Sequence, residues 1–421
     1  MASNLQQRDA KVCWHPFTQH QIDPLPLPIV SAKDATLVLE DGSTRIDAIS
    51  SWWSVLHGHC RPELAEVLFK QASTLDHVLF AGCTHQPAVE LAELLIEVAP
   101  DSLSRVFYSD NGSTAVEIGL KAAYQSWVRR GQAQRTTFIS LEHSYHGDTF
   151  GAMALGDPVP FFSEFEHFLF DVRRVDPTAE SLRTALEELG DQACAFVVEP
   201  LVQGAAGMKM HSIEFLRAAR ELCTEFSIFF IADEVMTGFG RTGSLFSCQT
   251  AGIEPDIMAI AKGLSGGILP LSATLVSEEI YQDFLDDERA KAFFHGHTFT
   301  GNPLGCAVAL RSLQLCIEEQ TPQRLQEIGN LVECALASLS DHPRIEMRRC
   351  GGIVAIEIIT DHGGYLACAG DILRNACREL DDVLLRPLGN VLYAMPPACT
   401  TEEECQIIAD AMIKVVMQAV Q

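Results

Sequence analysis

Lysine is scarce in this chain: there are eight in 421 residues, and Lys and Arg together number 30 against 56 Asp and Glu. The formal charge of −26 leaves no basic face for nucleic acid or an anionic membrane surface, both of which need one. Any bound phosphate must therefore be held by local backbone donors rather than by a general positive field. No run of about 18 apolar residues occurs, so no membrane-spanning helix is expected. The polar start, Met1 to Ala10, has no apolar signal core. Fourteen cysteines are scattered from Cys13 to Cys405 without a C-x-x-C pair, which excludes a zinc ribbon and a dithiol redox motif. These absences point to a reduced, cytoplasmic protein.

What is present is ordinary globular material, 47% hydrophobic, with enough length for two or three domains at about 150 residues each. Pro24, Pro26 and Pro28 forbid a helix in that part of the first fifty residues, which read as an irregular arm. A hairpin is expected to turn at Asp41-Gly42. From about Arg61 to Phe294 short apolar strands alternate with helical patterns. The strands are expected at Arg105–Ser109, Thr137–Leu141, Cys194–Val198, Ile228–Ala232, Ile257–Ala261 and Ser272–Val276; the helices include Ala115–Arg129, Ala179–Leu189, Ile213–Phe226 and Glu278–Phe284. Such alternation predicts an α/β fold, a mostly parallel sheet covered by helices on both faces. A long helical stretch, Leu304 to Ser340, follows Gly301-Asn302-Pro303. Strands near Ile353–Ile359 and Val391–Ala394 and a last helix after Thr400 then build a smaller α+β domain with the arm. The expected division is 58–303 for the large domain, with 1–57 and 304–421 in the small one.

In open α/β sheets ligands gather at the carboxyl ends of the strands. Three such ends are informative. "RVFYSD" runs into Asn111-Gly112-Ser113-Thr114 and a helix, where free amides, hydroxyls and the positive dipole end suit a phosphate. A plain helix cap with nothing bound is the alternative. "IFFIADEV" ends in Asp233-Glu234, and a buried carboxylate there demands a cationic or hydrogen-bonding partner; an ordinary structural ion pair is the alternative. "IMAIAKG" ends in Lys262, the one lysine of the eight that directly follows a buried-looking strand. Desolvation there lowers an amine's pKa and frees it as nucleophile or base. Together, a phosphate turn, an acidic strand end and a lysine strand end are what pyridoxal phosphate requires.

Gly238-Phe239-Gly240-Arg241-Thr242-Gly243 matches G-x-G-x-x-G literally. Five residues separate it from the preceding strand and no long amphipathic helix follows, so a nicotinamide or flavin site is not expected. The pairs His57/His59, His143/His146 and His295/His297 lack the spacing of a zinc helix motif such as H-E-x-x-H. Capping or supporting roles suit them better, and no metal is expected.

At this point "WHPFTQ", "SSWWSVLHGH", "YSDNGSTAVEIGLKAAYQSW", "HSYHGDTFGAMALGDP", "IADEVMTGFGRTG", "AIAKGLSGG", "HGHTFTGNP" and "LRPLGNVLYAMPP" resemble the class III, fold-type I aminotransferases dependent on pyridoxal 5'-phosphate. The resemblance runs from Trp14 to Pro397. The pair Trp52-Trp53, the "WHP" start and "LRPLGN…Y" narrow it to the biotin-biosynthesis branch. It implies a seven-stranded-type sheet and a ping-pong reaction. The acceptor would be 8-amino-7-oxononanoate and the donor S-adenosylmethionine, or lysine as in some relatives; another class III ω-aminotransferase is the other reading.

By resemblance, Lys262 would bond covalently to the cofactor and shuttle the proton, Asp233 would hold the pyridine nitrogen protonated, and Val235 and Tyr145 would pack on the two ring faces. Gly112 and Ser113 would bind the phosphate. Thr298 would reach the phosphate of a neighbouring subunit, which implies a homodimer with active sites at the interface. Trp52 would wall the substrate channel and Arg386 would pair with the acceptor carboxylate. Arg241, Gly296 and Tyr393 match further substrate-side positions. Phe17 stands where the family usually has tyrosine. The ring is kept, while a hydroxyl near the substrate amine is gone.

Overall fold

Six strands running one way and one running against them form the central sheet of the computed structural model, which describes residues 3–157, 162–359 and 368–420. The spatial order is Leu103–Ser109, Ser272–Ser277, Ile257–Ile260, Phe229–Asp233, Ala193–Val198, Thr137–Leu141, Val172–Val175. Ser272–Ser277 is antiparallel to both neighbours. The six strands expected from the sequence lie within two residues of their expected bounds. The seventh, Val172–Val175, was not expected, because a four-residue edge strand with Arg173 and Arg174 at its centre carries no apolar run.

Strand geometry sends successive side chains to opposite faces, and here both faces are covered. Phe229, Ile231, Ile257 and Ala259 pack in one layer with Ala115, Val116 and Ala123 of the helix Gly112–Arg129. Phe230, Ala232, Met258 and Ile260 point the other way, into a layer shared with Leu216 and Ala219 of the helix Ile213–Glu225. Gly119 lets the first helix lie close on the sheet: a Cβ there would come within 3.2 Å of Ile257 Cγ2. Fully buried central strands hold their carboxyl ends rigidly, and those ends carry the site.

The remaining sheets are small. Ile29–Lys33, Thr36–Leu39, Thr44–Asp47 and Val383–Leu384 form one, with Gly42 turning the expected hairpin at φ +85°. Its last pair is parallel, joining Ile46 to Val383 and Asp47 to Leu384. Ile345–Cys350, Ile353–Ile358 and Val391–Ala394 form an antiparallel three-stranded sheet.

Two expectations are refined. The helical stretch Leu304 to Ser340 divides into two helices, Pro303–Glu318 and Thr321–Ala335, with Gln320 left-handed at φ 51° between them. Pro322 in the first turn of the second helix explains the break, since it cannot donate to a preceding turn. The N-terminal arm also holds a short helix, Asn4–Asp9, closed by a capping box between Ser3 and Gln6.

Candidate active site

A cavity of about 620 Å³ opens at the carboxyl edge of the central sheet. Because the reversed strand begins where its neighbours end, Pro270 and Leu271 also border it. Gly112, Ser113, Tyr145, Asp233, Val235 and Lys262 all line it.

Lys262 follows the buried strand Ile257–Ile260 and opens a single turn, Lys262–Ser265. Its Nζ lies 4.7 Å from the centre of the Trp53 ring, a cation–π contact. Among the described residues it has no carboxylate partner within salt-bridge distance. Burial pushes the Lys262 amine below its ordinary pKa, while the charges of Asp233, Glu199 and Asp148 oppose the shift.

Asp233 ends its strand with one carboxylate oxygen 2.7 Å from Nδ1 of His146 and the other accepting the Val235 N–H at 3.1 Å. His146 is buried, and its Nε2 has no hydrogen-bond partner among the described residues. Burial alone would lower the pKa of His146; the hydrogen bond to Asp233, the charge of Asp233 and that of Glu199 outweigh it, so the pKa rises. The Asp233 carboxylate is thus backed by an imidazole whose hold on its proton it strengthens.

Glu199 follows the strand Ala193–Val198 and accepts the N–H groups of Tyr145 at 3.2 Å and Gly204 at 2.9 Å. Burial pushes its carboxyl up to about 7, with His146 pulling down and Asp233 adding to the rise. A folded pKa above the ordinary 4.5 means that protonated Glu199 stabilises the fold below about pH 4.5, and that this contribution is lost as pH rises through about 7. The difference is worth about 3 kcal/mol. In the cofactor-free enzyme, Glu199→Gln should flatten the dependence of stability on pH between about 4.5 and 7. Denaturant midpoints for both proteins across that range check it; parallel curves would refute it.

At the start of the helix Gly112–Arg129, Asn111 is the cap: its side chain accepts the Thr114 N–H at 3.0 Å, and Thr114 Oγ1 accepts the Asn111 N–H at 3.2 Å. Helix geometry leaves the Gly112 and Ser113 amides without intrahelical acceptors. Ser113 Oγ bonds Thr149 Oγ1 at 2.6 Å and accepts the Thr149 N–H at 2.9 Å. Glycine permits both close approaches here. A Cβ on Gly112 would fall 2.5 Å from Val235 Cγ1, and one on Gly147, at φ +123°, would fall 2.5 Å from Ser113 Oγ. Tyr145 stacks on Phe162 at 6.1 Å, and its hydroxyl donates to Asp148 at 3.0 Å.

Other expected site residues lie elsewhere. Trp52, Phe17 and Arg386 form their own group: Phe17 meets Trp52 edge-on at 5.4 Å, and the Arg386 guanidinium sits 4.9 Å from the Trp52 ring centre. Arg241 and Tyr393 lie behind Trp53 rather than on the cavity wall. The Tyr393 hydroxyl accepts from Trp53 Nε1 at 2.9 Å. Arg241 donates to the carbonyls of Pro396 at 3.0 Å and Trp53 at 3.3 Å, and burial pushes its pKa down to about 10. Gly296 and Thr298 are exposed and do not border the cavity of their own chain. The Gly238–Gly243 loop leads only to the five-residue helix Ser247–Ala251. Pro158, the last residue of one quoted motif, lies outside the described residues. Sequence reasoning gave His146 only a capping or supporting role, named Trp53 only as one of a pair, and passed over Glu199. Glu199 sits at a strand end, where the same inspection would have found it.

The class III aminotransferase pattern (Aminotransferase class-III) matches residues 17–416, and the chain belongs to that family. It is an aminotransferase and, with its family, uses pyridoxal 5'-phosphate. The adenosylmethionine-8-amino-7-oxononanoate aminotransferase of Synechococcus elongatus is 45% identical over 414 residues, covering 95% of this chain and 97% of the relative. That of Geobacter sulfurreducens is 40% identical, covering 97% and 96%. The crystal structure of the enzyme of that name from Methanocaldococcus jannaschii superposes with a TM-score of 0.94 at 34% identity, covering 99% of both chains. The omega transaminase of Pseudomonas jessenii in complex with PMP reaches 0.93 at 28% identity, covering 100% of this chain and 99% of the other. The residues present fit the cofactor: an unpaired, desolvated amine, a buried carboxylate and two leftover helix amides share one cavity.

Proposed function

We propose that this enzyme serves biotin biosynthesis in the cytoplasm, moving an amino group from S-adenosylmethionine to 8-amino-7-oxononanoate to give 7,8-diaminononanoate. The near-full-length relatives of that name support the reading. The observation that carries it is the edge formed by Phe17, Trp52 and Arg386: an apolar aromatic surface ending in a half-buried guanidinium that no carboxylate of the described residues neutralises. Such a surface suits an acceptor with a carboxylate at the far end of an apolar chain.

Within the cofactor site, Gly112 and Ser113 would hold the phosphate and Asp233 would keep the ring nitrogen protonated. Val235 and Tyr145, which line the cavity, would pack against the ring. When bound, the cofactor supplies an electron sink for the pair released as the substrate C–H bond breaks. Lys262 would be the nucleophile and then the base that carries that proton, a role its lowered pKa favours. Exposed Gly296 and Thr298 serve the site of a second copy in a homodimer. Arg241 and Tyr393 act on substrate through Trp53, which they hold.

The two substrates occupy one site in turn, so ping-pong kinetics are expected. Arg386→Ala should weaken the acceptor half-reaction by about 2–5 kcal/mol, the cost of stranding one partner of a desolvated charge pair. Arg386→Met, which keeps the packing, should lose nearly as much, and the donor half should suffer less. Single-turnover rates for each half provide the comparison. Equal losses in both halves, or none in the acceptor half, would remove Arg386 from the acceptor site. A survey of donors one at a time, including lysine and simple ω-amines, distinguishes S-adenosylmethionine from lysine and from the omega transaminase activity of the structural neighbours.

A further inference from the structure

Ser50, Ser51, Trp52 and Trp53 have φ values of 49°, 45°, 70° and 75°. Each is disfavoured for an L-residue, because Cβ crowds a carbonyl oxygen. Single left-handed residues are common in turns, whereas four in succession without a glycine persist only where the surroundings hold them.

The holding group is Asp47, which is fully buried. One carboxylate oxygen accepts the Ser51 N–H at 2.9 Å and the Ile49 N–H at 3.3 Å; the other accepts the Ser51 hydroxyl at 2.7 Å and bonds His59 Nε2 at 2.8 Å. Burial works against the charged form, yet these hydrogen bonds win and the carboxyl lies below its ordinary pKa. Ser50 adds a bond from its hydroxyl to the Met395 carbonyl at 2.7 Å.

The turn matters because of where its two indoles go. Trp53 lies against the Lys262 amine and Trp52 against the Arg386 guanidinium. Asp47 also ends the strand that pairs in parallel with Val383–Leu384, with Asp47 opposite Leu384. Two neighbouring strand ends therefore launch the tryptophan turn and Arg386 side by side.

We propose that Asp47 is a positioning residue: through Ser51 and His59 it fixes the left-handed turn that sets Trp53 against the Lys262 amine and Trp52 against Arg386. One buried carboxylate thus registers the reacting end of the site with its carboxylate-binding end. The substrate meaning of Arg386 rests on the function proposed above; the conformational role of Asp47 does not.

The test uses holoenzyme labelled with 5-fluorotryptophan, whose four fluorine resonances are assigned by single Trp→Phe changes. Asp47→Asn should shift or broaden the resonances of Trp52 and Trp53 while those of Trp14 and Trp127 stay in place. It should lower kcat/KM for the acceptor by about 10²-fold, the scale for a misplacement near 1 Å. His59→Gln, which still offers a donor to Asp47, should stay close to wild type. Should Asp47→Asn fail to fold, Ser51→Gly loses the hydroxyl contact while tolerating the left-handed backbone. It should disturb the same two resonances, with a smaller kinetic loss. Unchanged resonances and kcat/KM in either folded variant would overturn the proposal, as would lowered stability alone. If wild-type enzyme fails to use 8-amino-7-oxononanoate, the substrate reading falls, and the two resonances still decide the role of Asp47.

Discussion

Lys262→Ala is expected to abolish turnover, by at least about 10⁴-fold, while leaving the fold intact. General-base catalysis by a positioned side chain contributes up to about that factor, and the covalent step is lost with it. The other lysines are ill placed to substitute: Lys291 is paired with Asp286 at 2.6 Å and Glu288 at 3.1 Å, Lys121 contacts His295 at 3.1 Å, and Lys209 is exposed on a two-residue strand. Removing an amine that burial already discourages from charging should not lower stability. Borohydride reduction of the wild-type holoenzyme and peptide mapping should find the cofactor on Lys262, with circular dichroism showing the variant folded. Label on Lys209 or Lys291 would defeat the assignment.

Asp233→Asn should cost about 3–5 kcal/mol of catalysis, the scale of breaking a buried charge pair, or about 10²–10⁴-fold in kcat. Asparagine keeps the shape and can still accept the Val235 N–H. It removes the charge that holds a proton on His146, so the imidazole should deprotonate at lower pH in the variant. Cofactor should still bind through Gly112 and Ser113. Activity close to wild type would make the carboxylate structural, and an unmoved His146 titration by NMR would break the link between the two groups.

The parts of this site legible in the sequence were those fixed by local rules. A buried strand followed by a polar residue marks Lys262 and Asp233, and a small-residue turn before a helix marks Gly112 and Ser113. His146 escaped because its importance comes from Asp233, 87 residues away, and no local pattern reports that pairing. The choice between adjacent Trp52 and Trp53 was equally hidden. Trp53 lines the cavity and Trp52 does not, because a left-handed run of ordinary residues obeys neither the helical nor the strand period. By resemblance Arg241 was expected on the substrate side; its burial against carbonyls follows from tertiary packing alone. The helix break at Gln320 was announced by Pro322, yet the expected helical stretch, Leu304 to Ser340, carried no division there.

The parallel pairing of Asp47 with Leu384 also sets an order of assembly during synthesis. By the time Ser277 has been made, every strand of the central sheet exists, and so do the segments carrying Lys262, Asp233 and Gly112. The strand beside Thr44–Asp47 comes about a hundred residues later, roughly 5–20 s at ordinary translation rates. The nascent chain therefore has these cavity-lining segments well before it has Arg386, and before the neighbouring strand pairs beside Asp47. The partners that complete the tryptophan turn, Leu384 and Met395, thus come from the late part of the chain.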